Sequence, residues 1–182
     1  MGMRKRAFLF CALAACALAV SAQSYSLRSN ILGLTTTNLN LEASMTLNRK
    51  WSLHLPVQYN PFKFGSNRQF RNFYAAPGAR YWLLESYMDG FIGMYGTAGM
   101  YSVGNLFGSK YRYEGEGYGV GLSVGKAYQI GRRWNLEWEV GAGAVWLAYD
   151  KYLCKRCGDL VDSDYGWHFL PTRAALNLVY LF

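Results

Sequence analysis

Charge is scarce in this sequence. Asp, Glu, Lys and Arg make up 16% of 182 residues, against roughly 25% in average globular usage, which covers a water-facing surface poorly. Cysteine is nearly absent too, with Cys11 and Cys16 close to the start and Cys154 and Cys157 close to the end, so no dense disulfide scaffold is encoded. Long apolar runs are missing after residue 22. Any crossing of a membrane would therefore fall to strands. The formal net charge is +8, a mild basic balance with no nucleic-acid motif behind it, and no nucleic-acid partner is expected.

What the chain does have is aromatic residues, 17% of the total with 15 Tyr, and a leader. Arg4, Lys5 and Arg6 precede an apolar stretch from Ala7 to Val20 and a small-residue site at Val20-Ser21-Ala22, the three parts of a secretory signal peptide. Residues 1–22 are thus expected to be removed, leaving 23–182 as a single domain. Losing Arg4, Lys5 and Arg6, with no acid, lowers the formal charge from +8 to +5. Leu13-Ala14-Ala15-Cys16 resembles the site where a bacterial lipoprotein is cut and acylated, and lipidation of Cys16 stands as the alternative to cleavage after Ala22.

From Ser26 on, the pattern has a period of two. Leu39, Leu41, Ala43, Met45 and Leu47 alternate with Asn40, Glu42, Ser44, Thr46 and Asn48, and Trp51 to Asn60 repeats the theme after a tight turn. Six further segments are read as strands: 26–35, 74–83, 91–104, 117–130, 135–148 and 170–182. The registers of the first and fifth strands stay open. Pro77 removes a ladder donor and belongs at an edge or bulge, and Lys126 on an apolar face must snorkel or mark a bulge. Connections alternate in length, with long loops at 60–72, 104–116 and 150–168 at one end and tight turns at the other. The last segment ends on Tyr180 and Phe182 with one face wholly apolar, an unprotected edge expected to pair with the first strand.

These features predict an all-β fold, an eight-stranded antiparallel up-and-down transmembrane β-barrel, with short turns at one end and long external loops at the other. Small polar rows (Gly117, Gly119, Gly121, Gly141, Gly143) suit a narrow lumen. Aromatic residues near strand ends (Trp51, Tyr59, Tyr81, Trp134, Trp146, Tyr149, Tyr180) suit interfacial girdles. Eight strands leave an interior that side chains fill. Glu42, Arg80, Glu137, Glu139 and Arg173 are expected to form a lumen charge network, with a narrow proton or ion path as the sharper alternative. His54 reads as packing.

The segments Ser29-Asn30-Ile31-Leu32, Thr35 to Glu42, Lys50-Trp51-Ser52-Leu53 with Tyr59-Asn60-Pro61-Phe62, Ala79-Arg80-Tyr81-Trp82, Gly131 to Glu137, Tyr149-Asp150-Lys151-Tyr152 with Cys154 and Cys157, and Pro171-Thr172 before a terminal Leu-Val-Tyr-Leu-Phe cover almost the whole mature chain. Together they resemble the outer-membrane β-barrels of Gram-negative gut anaerobes grouped as domain of unknown function 3575. The resemblance implies residence in the outer membrane, among its lipids. It also implies insertion by the barrel assembly machinery through a C-terminal signal at Tyr180 and Phe182, and, in some members, an association with surface fimbria genes. It supplies no catalytic residues.

Cys154 and Cys157 flank Lys155 and Arg156 in the last long loop. The pair is two ligands short of a structural zinc site, and a loop-stapling disulfide is expected, with a free dithiol left open. No cofactor or metal is expected. Ser163, His168, Asp162 and Asp164 crowd the same loop, the ingredients of a lipid-modifying acyl hydrolase or transferase. Asp and Ser are also ordinary loop residues. The expectation is a non-enzymatic barrel whose surface loops serve adhesion, fimbria-related assembly or contact with a cell-surface protein, with the lipid-acting enzyme as its rival.

Overall fold

The computed structural model describes residues 25–64, 68–104, 111–152 and 160–182. The strands are β1 (Tyr25–Asn30), β2 (Leu39–Thr46), β3 (Trp51–Asn60), β4 (Lys63–Phe64), β5 (Arg68–Ala75), β6 (Gly78–Trp82), β7 (Asp89–Gly104), β8 (Arg112–Gln129), β9 (Trp134–Tyr152) and β10 (Leu160–Leu181). They form one antiparallel sheet, and it closes on itself because β1 returns to β10, with Ser26 opposite Leu181 and Asn30 opposite Asn177. β5 and β6 act as one stave between β3 and β7. The two-residue β4 is a flap on β5, and the wall of the ring therefore has eight staves.

The break between β5 and β6 falls at Ala76-Pro77. Pro77 was expected at an edge or bulge, yet it sits inside the wall with no change of register on either side. The ladder is carried past it by Ala76 N–H to Pro56 O at 3.2 Å and Gly96 N–H to Pro77 O at 3.0 Å. Lys126 also lies in an unbroken register opposite Gly90. It reaches Asp89 at 2.9 Å, so it snorkels to an end of the wall and marks no bulge.

Alternation resolves into an inside-out distribution. Leu41, Leu53, Val120 and Trp138 face outward, 53%, 40%, 65% and 39% exposed, whereas Glu42 and Glu137 face inward at 6% and 1%. The two open registers settle with Arg28 inward beside Leu27 outward, and with Phe91, Gly93, Tyr95 and Thr97 inward on β7. Inward glycines make room for these rings. A Cβ on Gly121 would come within 2.6 Å of the Tyr95 ring, and one on Gly125 within 2.5 Å of the Phe91 ring.

Three expected features differ. Residues 31–35 are a single helical turn, α1 (Ile31–Thr35), because Asn30 caps it, its side chain accepting from Leu32 N–H. In the long loops expected at 60–72, 104–116 and 150–168 the described residues are mostly strand, since β4 occupies Lys63–Phe64, β5 starts at Arg68, β7 runs to Gly104, β8 starts at Arg112, β9 runs to Tyr152 and β10 starts at Leu160. Their apolar alternation fades there, but the backbone pairing does not depend on it. Finally, β10 carries a bulge between Pro171 and Arg173, which exchanges its faces. Below it Arg173 and Asn177 point inward; above it Tyr165, Trp167 and Phe169 point outward, 73%, 63% and 80% exposed.

The wall is also uneven. β1 has 6 residues and β10 has 22, so β10 is paired with β1 only as far as Asn177. Above that level, among the described residues, its free edge meets α1. Asn30 extends the ladder by one rung, donating from Nδ2 to Ala174 O at 3.3 Å and accepting Leu176 N–H at 3.2 Å.

Candidate functional site

The turn end of the ring is closed by an aromatic plug. Trp82, Tyr87 and Phe91 are buried together with Ala127, the Trp82 indole donating to Ser52 Oγ at 2.9 Å. Tyr87 hangs into the lumen from the β6–β7 connection at φ 67°, a strained conformation for an aromatic residue. Its hydroxyl hydrogen-bonds Ser44 Oγ at 2.8 Å.

Over the plug lies a layer of ions. The structure brings the five residues Glu42, Arg80, Glu137, Glu139 and Arg173 together across four staves, and adds Arg28. Arg28 reaches Glu137 at 2.7 Å and Glu42 at 3.5 Å. Arg80 reaches Glu42 at 3.2 Å and Glu137 at 3.1 Å and also pairs with Glu139. Arg173 reaches Glu42 at 2.7 Å and Glu139 at 3.0 Å. Three guanidinium groups thus meet three carboxylates, with no formal charge left over. His54, read from sequence as packing, is buried with Nδ1 at 3.5 Å from Glu42. Arg28 escaped sequence reasoning because both faces of the first strand are mixed. The usable signal was the excess of one carboxylate over the two arginines first assigned to the lumen.

Ring geometry marks both ends of the outer face. At the turn end, Trp51 stands edge-on to Tyr81 at 5.2 Å, and Tyr180 packs against Trp134 at 4.9 Å and Phe182 at 5.0 Å. At the other end, Trp146 contacts Tyr118 at 5.2 Å and Tyr165 at 6.3 Å, with Trp167 at 6.4 Å from Tyr118. Tyr149 does not join this group. It faces inward and meets Tyr113 at 6.1 Å. Tyr180 and Phe182 are fixed by the backbone as well, Phe182 N–H donating to Tyr25 O at 3.0 Å and Leu181 N–H to Arg133 O at 2.9 Å.

Beyond the second aromatic cluster the wall turns polar. Glu116, Glu114 and Arg112 succeed Tyr118 on the outer face of β8, with Arg112 at 3.2 Å from Glu114, and a cavity of about 620 Å³ opens there, lined among others by Asn60, Asn72, Tyr101, Tyr149 and Asp164. Ser163 and His168, the ingredients of the enzyme reading, are not brought together. They lie on opposite faces of β10, opposite Asp150 and Val145 of β9, and five residues of strand separate them by about 16 Å. Asp162 and Asp164 share the face of His168 and not that of Ser163. Cys154 and Cys157 lie outside the described residues, as do residues 1–22, the segment expected to be a leader.

Among the described residues no group of His, Cys, Asp and Glu is placed to hold a metal ion. No curated protein and no solved structure matches the chain. The family comparison does match, over residues 7–182, and the chain belongs to the family described as protein of unknown function DUF3575.

Proposed function

We propose that this chain is an exported outer-membrane barrel that works without catalysis, a rigid platform holding a polar rim outside the cell for adhesion, fimbria-related assembly or contact with another surface protein. The observation that carries this reading is the apolar outer belt bounded by aromatic residues at both ends. On β8 the bounds are Tyr118 and Tyr128, ten residues apart, which is about 33 Å of strand. A tilt of roughly 40° leaves about 25 Å along the axis, the height of a bilayer-facing band. Within it Val120, Leu122 and Val124 are exposed, and the one charge on that row, Lys126, is paired with Asp89 at the turn end.

A water-soluble carrier barrel would reverse the faces, because its apolar side must be hidden from solvent. Here the ionic layer is hidden instead, as a lipid-facing wall requires. The rim fits a contact role, since tyrosines and arginines dominate protein-binding surfaces. Arg112 stacks over Tyr152 at 4.9 Å and Lys151 over Tyr111 at 4.3 Å. Fractionation tests the placement. The protein should stay in the membrane pellet after a carbonate wash and migrate differently on a gel before and after boiling; release into the soluble fraction ends the proposal.

A further inference from the structure

Above the ion layer the lumen changes character in a way that residence in a membrane does not explain. Inward positions carry Phe70, Val103, Val145, Leu147 and Leu170 around a chamber of about 440 Å³, within the roughly 300–1,000 Å³ range of small-molecule sites. Gly117 helps to hold that space open, for a Cβ there would sit 2.5 Å from Leu147 Cδ2. An apolar chamber inside a barrel that elsewhere hides polar groups is unneeded for insertion.

The floor of the chamber is polar and incompletely satisfied. Gln58, Tyr74 and Thr172 line both the chamber and a smaller void of about 100 Å³ beneath it, and Arg173 lines that void. The Arg173 side chain is only 9% exposed. Two of its nitrogens are engaged by Glu42 and Glu139, but among the described residues Nη1 has no hydrogen-bond partner, and neither has the Tyr74 hydroxyl. Two buried donors, Arg173 Nη1 and the Tyr74 hydroxyl, thus stand unpaired beside this void, whose lining also holds the Glu42 carboxylate, and an unpaired buried donor costs free energy until an acceptor reaches it. Among the described residues the side wall is open at this height: Leu170, Pro171 and Thr172 line the chamber, and β10 has lost its pairing with β1 above Asn177. Pro171 suits that free edge because it presents no N–H.

We propose that the upper chamber binds a single-chain fatty acyl amphiphile with an acceptor oxygen in its head, a carboxylate or an ester. The head oxygen takes the free donors of Arg173 and Tyr74. The chain lies against Val145, Leu147 and Leu170, and its remainder emerges between α1 and β10 into the apolar belt. A cationic head is excluded, since it offers no acceptor to the Arg173 and Tyr74 donors and would meet the Arg173 guanidinium that lines the void beneath the chamber.

Native mass spectrometry of the mature chain folded in maltoside micelles tests this, with hexadecanoate, methyl hexadecanoate and hexadecyltrimethylammonium as probes. One hexadecanoate or ester should remain bound per protein and the ammonium compound should not. Leu170→Trp, which fills the chamber, and Tyr74→Phe, which removes one oxygen, should each weaken retention by roughly tenfold or more, as expected when a buried hydrogen bond or its space is lost. The gel shift on boiling checks that both variants fold, and Tyr74→Phe alone decides if Leu170→Trp does not. Equal retention of the ammonium probe, no retained probe, or unchanged binding by folded Tyr74→Phe overturns the proposal. Because the assay uses purified, detergent-folded protein, its failure is separate from a failure of the fractionation experiment.

Discussion

Arg80 is the residue on which the lumen depends most. It contacts all three carboxylates of the layer and is fully buried, with its guanidinium 4.7 Å from the centre of the Phe91 ring. Arg80→Met keeps most of the bulk and removes the charge, leaving Glu42, Glu137 and Glu139 one cation short. Breaking a buried pair from one side costs about 3–5 kcal/mol. The urea concentration that abolishes the boiling-dependent gel shift should fall accordingly. Adding Glu139→Gln to Arg80→Met should restore part of the loss, because the uncompensated charge is then removed. If the double variant is no more stable than the single one, charge balance is not what the layer provides. Arg80→Lys should behave more like the Met variant than the wild type, since one ammonium group cannot span three carboxylates as a planar fork does.

At the scale of elements, β10 is the informative one. In an antiparallel strand successive N–H groups point to opposite edges. Leu176 N–H faces the β1 side, and the bulge at Pro171 shifts the phase, so above it Gly166, His168 and Leu170 bond to β9 while Trp167 and Phe169 aim their N–H groups at the open edge. Tyr165 N–H, on the same edge, is taken by the side chain of Asp164 at 2.8 Å. Residue-resolved hydrogen exchange in micelles should show alternation, with Trp167 and Phe169 exchanging faster than His168 and Leu170. Uniform protection would mean that the edge is covered. Sequence reasoning could reach the clean strands β2 and β3, the tight turns and the inward face of β9, because each rests on local alternation. It could not reach the bulge, since Pro171 breaks the phase without breaking the strand. Nor could it reach α1, where Ile31, Leu32 and Leu34 look like strand residues and only the Asn30 cap says otherwise. The five lumen residues were legible because a charge within an apolar alternation has few places to go. Arg28 was not, because Ser26 and Ser29 give β1 two polar faces.

For the whole molecule, the decisive question is which solvent the outer belt meets, and the sign of one substitution answers it. Leu122 is 63% exposed on the middle of that belt, between Tyr118 and Tyr128. On a protein in water, Leu122→Arg at such a site changes stability by no more than about 0.5 kcal/mol. On a lipid-facing wall the same change should cost about 2–4 kcal/mol, declining toward the interfaces. Ser163→Arg is the matched control, outward on β10 but beyond the aromatic cluster of Trp146 and Tyr165, and should be nearly neutral in either solvent. Folding titrations into lipid vesicles measure both. A large loss for Leu122→Arg beside a small one for Ser163→Arg fixes the depth of the belt as well as its character. Equal, small effects would leave the exposed leucines, valines and tryptophans without a solvent that tolerates them, since a water-facing surface this apolar is a site of aggregation. The same comparison weighs the ion layer. It accounts for most of the charge the sequence spends between the two aromatic clusters, and a chain that meets water there would have no reason to turn those residues inward.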